Sequence, residues 1–157
     1  IKPIYNNRFE FKTGSQLIYT TKISKTELEK LQESIPLPNI YQNYVEKKLE
    51  IRVTVVNDRV FSASVDSQQG ETTKVDWRRE RLPFTSYNLP QTIQKKCVDI
   101  VKSLNLSFGA IDLIETPEGG YVFLEINPNG QWAWIEMDTG LPISDSIIDF
   151  LENGEAK

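Results

Sequence analysis

Residues 108–127 of this 157-residue chain, FGAIDLIETPEGGYVFLEIN, constrain its fold more than any other stretch. Two β-branched and aromatic runs flank Pro117-Glu118-Gly119-Gly120, so the stretch predicts an antiparallel hairpin. Both strands carry an acid inside an apolar run: Asp112 within AIDLI and Glu125 within VFLEI. With Pro117 to Gly120 as the loop, Thr116 faces Tyr121 and Asp112 lies opposite Glu125. Asn127 shares their face because strand side chains alternate. Two carboxylates and an amide carbonyl then converge, a donor set that suits Mg²⁺ completed by phosphate oxygens. The competing reading is a solvated polar face on an edge hairpin. Against it, burying two carboxylates in such runs without a cation is costly.

Composition narrows the chemistry. There is no histidine, so Ser-His-Asp and Cys-His nucleophiles and His-based metal sites are excluded. One cysteine, Cys97, forms neither an internal disulfide nor an all-cysteine zinc site. It falls in Gln91–Leu104, where Ile93, Cys97, Ile100, Val101 and Leu104 follow helical spacing, and reads as packed core. Absent disulfides fit a reducing cytosol, and no apolar run is long enough to span a membrane. A net charge of −4 argues against non-specific nucleic-acid binding. The chain suffices for one folded domain. It opens at Ile1-Lys2-Pro3-Ile4 as if cut within a strand, which predicts a portion of a longer polypeptide.

The remaining elements follow from pattern. Ile1–Ile4 and Gln16–Ile23 read as strands, with Tyr5–Ser15 as a loop carrying Thr13-Gly14. Ser24 and Glu27 form a capping-box pattern that opens a helix to about Ser34, stopped by Pro36-Leu37-Pro38. Ile40–Val45 reads as a short strand, and Glu50–Val56, Asn57-Asp58 and Arg59–Ser67 as a hairpin. Gln68–Ser86 is polar and irregular. Helices are predicted at Pro90–Leu104 and Ser144–Glu152. The fold class is α+β, antiparallel sheets backed by helices.

The set Asp112 with Glu125-Ile126-Asn127 resembles the ATP-grasp superfamily, in which an Asp on one strand and a Glu-x-Asn on the next bind the magnesium ions of ATP. The resemblance covers nearly the whole chain and implies an ATP-grasp fold, with the nucleotide gripped between two antiparallel sheets. It implies ATP and Mg²⁺ as cofactors and assigns roles in order. Lys2 reaches the phosphates. Gln42-Asn43-Tyr44-Val45 is the adenine hinge, with Gln42, Tyr44 and Val45 as contacts, and Glu50 binds the ribose. Residues 1–41 form the nucleotide-covering lobe and 42–157 the metal-binding lobe. The superfamily's N-terminal domain and central segment have no counterpart here. The loop between the covering strands offers only Gly14, with Arg8 and Lys12 as cationic substitutes.

The ending Asn127-Pro128-Asn129-Gly130-Gln131-Trp132, then Trp134-Ile135-Glu136 and Thr139-Gly140-Leu141-Pro142-Ile143, resembles the graspetide synthetases. So does Asp76-Trp77-Arg78-Arg79. That resemblance implies an ATP-dependent carboxylate ligase whose partner is a precursor peptide. Peptide Asp or Glu side chains become acyl phosphates and close ω-ester or ω-amide links. It implies a cytoplasmic enzyme, a homodimer as the full protein, and little turnover by this portion alone. Alternatives are a ligase like the ribosomal-protein glutamate ligases, or a non-catalytic peptide- or partner-binding module. In the basic cluster Lys74, Arg78, Arg79 and Arg81, a solvated face is the default. Beside Trp77, however, the planar guanidinium of Arg78, or of Arg79, suits transition-state charge. Trp132 and Trp134 share a face if extended, capping the core or lining a substrate. Asn129 and Gln131 contact phosphate or substrate, or shape the turn.

Overall fold

The computed structural model describes residues 2–3, 8–11, 14–17, 19–31 and 39–154, with side chains over 19–30 and 39–154. The chain divides into two compact units, residues 1–45 with 67–81, and residues 46–66 with 82–157.

In the first unit, β1 (Lys2–Pro3) pairs antiparallel with β4 (Asn39–Ile40), and β2 (Arg8–Phe11) with β3 (Gly14–Leu17). The covering hairpin is thus shifted from its predicted place. The polar stretch expected as loop contains β2, because Arg8-Phe9-Glu10-Phe11 alternates as a strand requires. β3 stops at Leu17, and residues 19–24 have no regular structure. Tyr41–Val45, expected as strand, is likewise irregular beyond the two residues of β4. Helix α1 (Lys25–Leu31) starts on the predicted capping box: the Glu27 N–H donates to Ser24 Oγ (3.2 Å), and the Ser24 N–H to Glu27 Oε2 (2.7 Å).

The second unit is built on one antiparallel sheet. Its strands are β5 (Leu49–Val56), β6 (Arg59–Val65), β7 (Thr85–Ser86), β8 (Phe108–Glu115) and β9 (Tyr121–Asn127), in the order β7-β6-β5-β8-β9. The β5–β6 reversal at Asn57-Asp58 falls where predicted, with Asn57 at φ 53°. Side-chain alternation gives the sheet two faces. Ile51, Val53, Val55, Ile111 and Leu113 form one core with Leu89 and with Cys97 and Val101 of helix α2 (Gln91–Ser103). Helix α2 ends in a Schellman motif. Asn105 takes φ 54°, its N–H donates to the Lys102 carbonyl (2.9 Å), and the Leu106 N–H donates to the Val101 carbonyl (3.1 Å). Leu106 then packs on the core.

The opposite face buries Thr54, Val56, Ala63, Val65, Ala110 and Ile114. Helix α4 (Ile143–Asn153) packs against β5, and its Asp149 pairs with Arg59 at the β5–β6 turn (2.8 Å). Helix α3 (Ala133–Thr139) was not foreseen and overturns the extended reading of Trp132 and Trp134. Trp132 stands at the position before the helix and Trp134 lies within it, edge-on to the buried Phe84 at 4.9 Å. Glu136 of α3 accepts from the Ser144 N–H (2.8 Å) and Oγ (2.5 Å), and so caps α4, whose own N-cap is a proline. Among the described residues, no helix is long and apolar enough to cross a membrane.

Candidate functional site

The geometry of the β8–β9 hairpin decides which side chains meet. The Thr116 N–H donates to the Gly120 carbonyl (2.8 Å), so the loop is Pro117-Glu118-Gly119, with Gly119 at φ 80°. This is a three-residue reversal closed by a left-handed glycine, not the four-residue loop predicted. Glu115, rather than Thr116, therefore faces Tyr121. Continued regularly, that ladder would set Asp112 against Leu124 and turn Glu125 to the α2 side. A register shift between Leu113 and Asp112 prevents this. Leu113 faces Phe123, Asp112 faces Glu125, and Ala110 faces Asn127, leaving Leu124 as the extra residue of a β-bulge. The bulge restores the predicted pairing at the site from a different turn.

Asp112, Glu125 and Asn127 thus share the face opposite α2. Asp112 is half-buried, and Glu125 and Asn127 are exposed. The turn after β9 is tied to the same place. Asn127 Oδ1 accepts from the Asn129 N–H (2.9 Å), and the Gly130 N–H donates to the Asn127 carbonyl (3.3 Å). Gly130 is buried against β8, and a Cβ there would sit 2.3 Å from that of Ala110. Only glycine lets the Asn127–Gly130 turn close on Ala110, Asn127's own cross-strand partner.

Arg52 and Lys47, beside this face, were not foreseen as site groups. Arg52 is the β5 partner of Asp112, and its Nη1 lies 3.1 Å from Asp112 Oδ1. Glu50, two residues along β5, accepts at Oε1 from Lys47 Nζ (2.8 Å), and Lys47 is itself buried. The acid–x–base alternation Glu50-Ile51-Arg52 was visible in the sequence, but nothing there paired Arg52 with a residue sixty positions away. On the other face the buried Glu115 centres a separate polar cluster. It accepts from Lys48 Nζ (2.7 Å) and the Tyr87 hydroxyl (2.9 Å), and Tyr87 also meets the Tyr121 hydroxyl (2.7 Å). Lys48, against the cost of burial and with help from Tyr87, holds the Glu115 carboxyl below its ordinary range. Burial, with Tyr121 and Glu115 bonded to it, raises the Tyr87 hydroxyl.

The donor set can be tested against a metal directly. Among the described residues no group of three or more His, Cys, Asp or Glu is placed to hold an ion. Asp112, Glu125 and Asn127 offer two carboxylates and one amide oxygen, an incomplete, all-oxygen set open to solvent. That fits Mg²⁺ sharing its shell with phosphate and water, and does not fit a closed protein cage.

The other predicted residues belong to the first unit. Lys2 stands opposite Ile40, and its side chain, like that of Arg8, lies outside the described residues, as does Lys12. Gln42, Tyr44 and Val45 lie in an irregular segment, with Lys22 Nζ 3.8 Å from the Tyr44 ring centre. Asp76 caps the 3-10 turn Trp77–Arg79 and takes Arg78 in a fork, Nε to Oδ1 (2.8 Å) and Nη2 to Oδ2 (2.5 Å), while also accepting from the Thr20 N–H (2.8 Å). Burial alone would raise the Asp76 carboxyl, but Arg78 and the two backbone N–H groups outweigh it and lower it. Arg79 stacks over Tyr19 at 5.0 Å, and Lys74 pairs with Glu71. Cys97 is buried and its thiol is pushed up by burial to about 11, so it is no nucleophile at neutral pH.

A family model described as a RimK-like ATP-grasp domain matches residues 7–151. A probable alpha-L-glutamate ligase of Trichodesmium erythraeum is 27% identical over 149 residues, 92% of this chain and 48% of that protein. Among solved structures, a RiPP-associated ATP-grasp ligase of Chryseobacterium gregarium, in complex with ADP and a leader and core peptide, superposes with a TM-score of 0.83 at 30% identity, covering 96% of this chain and 46% of that one. The macrocyclase MdnC of Microcystis aeruginosa MRC, bound with precursor peptide MdnA, gives 0.78 at 34% identity, covering 97% and 48%. The chain spans about half the length of the relatives it matches.

Proposed function

The chain belongs to the RimK-like ATP-grasp family, and on that premise we propose that it is the nucleotide- and metal-holding part of an ATP-dependent ligase acting on a peptide carboxylate. The observation that carries this reading is the bulged β8–β9 register, which aligns Asp112, Glu125 and Asn127 on one face. In this reading those three residues would hold Mg²⁺, which would supply neutralisation of phosphate charge. Glu50, pinned by Lys47, faces the ribose hydroxyls. The backbone of Gln42–Val45 meets adenine, and Lys2 meets phosphate. Arg78, oriented by the Asp76 fork, with Arg79 beside it, meets the charge that develops on the transferred phosphoryl group.

The reaction needs no protein nucleophile. A substrate carboxylate oxygen attacks the γ-phosphorus and ADP leaves. A hydroxyl or amine then attacks the acyl carbon, loses its proton, and phosphate leaves with one of the carboxylate's oxygens. The absence of histidine and the inert Cys97 are in keeping with this. The peptide as substrate is supported by the two solved neighbours, whose structures hold leader, core or precursor peptides. Closure within one precursor, as an ω-ester or ω-amide, follows from that likeness. A second reading, addition of glutamate to an acceptor, is favoured by the 27% identical relative.

The oxygen balance provides the test. A peptide ¹⁸O-labelled at its Asp and Glu side chains and at its C-terminal carboxylate is incubated with the protein, ATP, Mg²⁺ and free glutamate labelled likewise in its carboxylates, and the inorganic phosphate is analysed by mass spectrometry. One ¹⁸O per phosphate released is expected, together with loss of water from a cyclised peptide or mass gain from an added glutamate. Product formed with unlabelled phosphate would exclude the acyl phosphate.

A further inference from the structure

The face that carries Asp112 already holds a cation of its own. Among the described residues, the carboxylates of Glu50, Asp112 and Glu125 lie there with the basic groups of Lys47 and Arg52. Lys47 is taken by Glu50 at 2.8 Å, and Arg52 meets Asp112 at 3.1 Å. The second pair is partly withdrawn from water, the Arg52 side chain being 16% exposed and that of Asp112 31%. Arg52 is fixed there by the ladder: it lies directly between Ala63 on β6 and Asp112 on β8. Ala63 is fully buried and offers no charge, so Asp112 is the acid that the strand register sets against Arg52. On its other side Asp112 faces Glu125, a like charge directly across the β8–β9 ladder. Such a pair is destabilising unless a cation sits with it.

We infer that Arg52 is the resident counter-ion of the candidate metal site: it holds Asp112 when no divalent cation is bound and yields Asp112 Oδ1 when one binds. The inference rests on the reading of Asp112 and Glu125 as cation ligands. Its chemistry is an exchange of one positive charge for another at the same oxygen. The sheet thereby tolerates two adjacent carboxylates before loading, and cation affinity is set low enough that tight binding waits for the anion the cation carries. The guanidinium released from Asp112 is then available to that anion, since its planar fork suits phosphate oxygens as well as carboxylate. Arg52 is on this account a positioning and affinity-setting residue.

The test uses the full chain and Mn²⁺ as an electron-paramagnetic probe, with and without a non-hydrolysable ATP analogue. Without nucleotide, Arg52→Met should bind Mn²⁺ roughly tenfold tighter than the parent, the order expected when a unit charge a few ångströms away is removed from a half-exposed site. With the analogue present the sign should reverse, Arg52→Met binding more weakly. Metal-free Arg52→Met should also melt below the parent, and adding Asp112→Asn should recover much of the loss, a coupling independent of any metal. Arg52→Lys, which keeps the charge on a single-point donor, should fall between parent and Arg52→Met in Mn²⁺ affinity and serves if Arg52→Met does not fold. Equal Mn²⁺ affinity in parent, Arg52→Lys and Arg52→Met would overturn the counter-ion while leaving the metal site standing. No Mn²⁺ binding in any of them would remove the metal site and the inference with it.

Discussion

At the scale of single residues the candidate site separates into groups proposed to do chemistry and groups that make room for them. Glu125 is exposed, so its loss should cost little stability. Glu125→Ala is expected to melt within a degree or two of the parent while its Mg²⁺-dependent nucleotide affinity falls at least about tenfold, the loss of a charged ligand. Gly130 is the opposite case. A Cβ at that position would meet the Ala110 Cβ at 2.3 Å, so Gly130→Ala must push the Asn127–Gly130 turn off β8. A loss of about 1–3 kcal/mol by denaturant titration is expected, with weakened nucleotide binding although no ligand was touched. The shared face of Asp112, Glu125 and Asn127 was legible in the sequence, as two acids in apolar runs with an amide two residues after the second. Arg52 was not, because its partner lies on a strand that pairs with β5 only in the folded sheet.

At the scale of elements, the legible parts were those with local chemistry. Ser24 and Glu27 announce the start of α1, the apolar spacing announces α2, and Asn57-Asp58 announces the β5–β6 turn. The bulge at Leu124 was not legible, since hydrophobic alternation cannot show where one residue drops out of a ladder. Helix α3 was missed because Gln131-Trp132-Ala133 carries no capping side chain. The left-handed Gly140 at φ 68°, just past Thr139, was the available stop signal. The Glu115 cluster ties the segment ahead of β5 to β8, and its pH dependence has a definite sign. The folded carboxyl lies below its ordinary 4.5, so its contribution is fully present above that pH and is lost as pH falls through the lower folded value. Lys48→Met should therefore lower Tm at neutral pH, and the gap to the parent should close in acid. A gap that stays constant down to about pH 2 would show that Lys48 acts by packing and not by charge. At the end of α2, Asn105→Val should cost about 1 kcal/mol or more, because a β-branched residue resists φ 54°.

At the scale of the whole molecule, a RimK-like ATP-grasp sequence supplies one unit that is a sheet with a prepared oxygen-donor face, and another that fixes Arg78 on a buried Asp76. The sequence resemblance extended across both, which is why the fold was legible even where strand boundaries in residues 8–45 were not. The β8–β9 face is proposed to bind a nucleotide through Mg²⁺. Calorimetric titration of the chain with a non-hydrolysable ATP analogue, with and without Mg²⁺ and alongside Glu125→Ala, tests it most directly. Saturable binding that requires Mg²⁺ and is lost in Glu125→Ala is the expected result. Binding of equal strength without Mg²⁺, or unchanged in the variant, would contradict it.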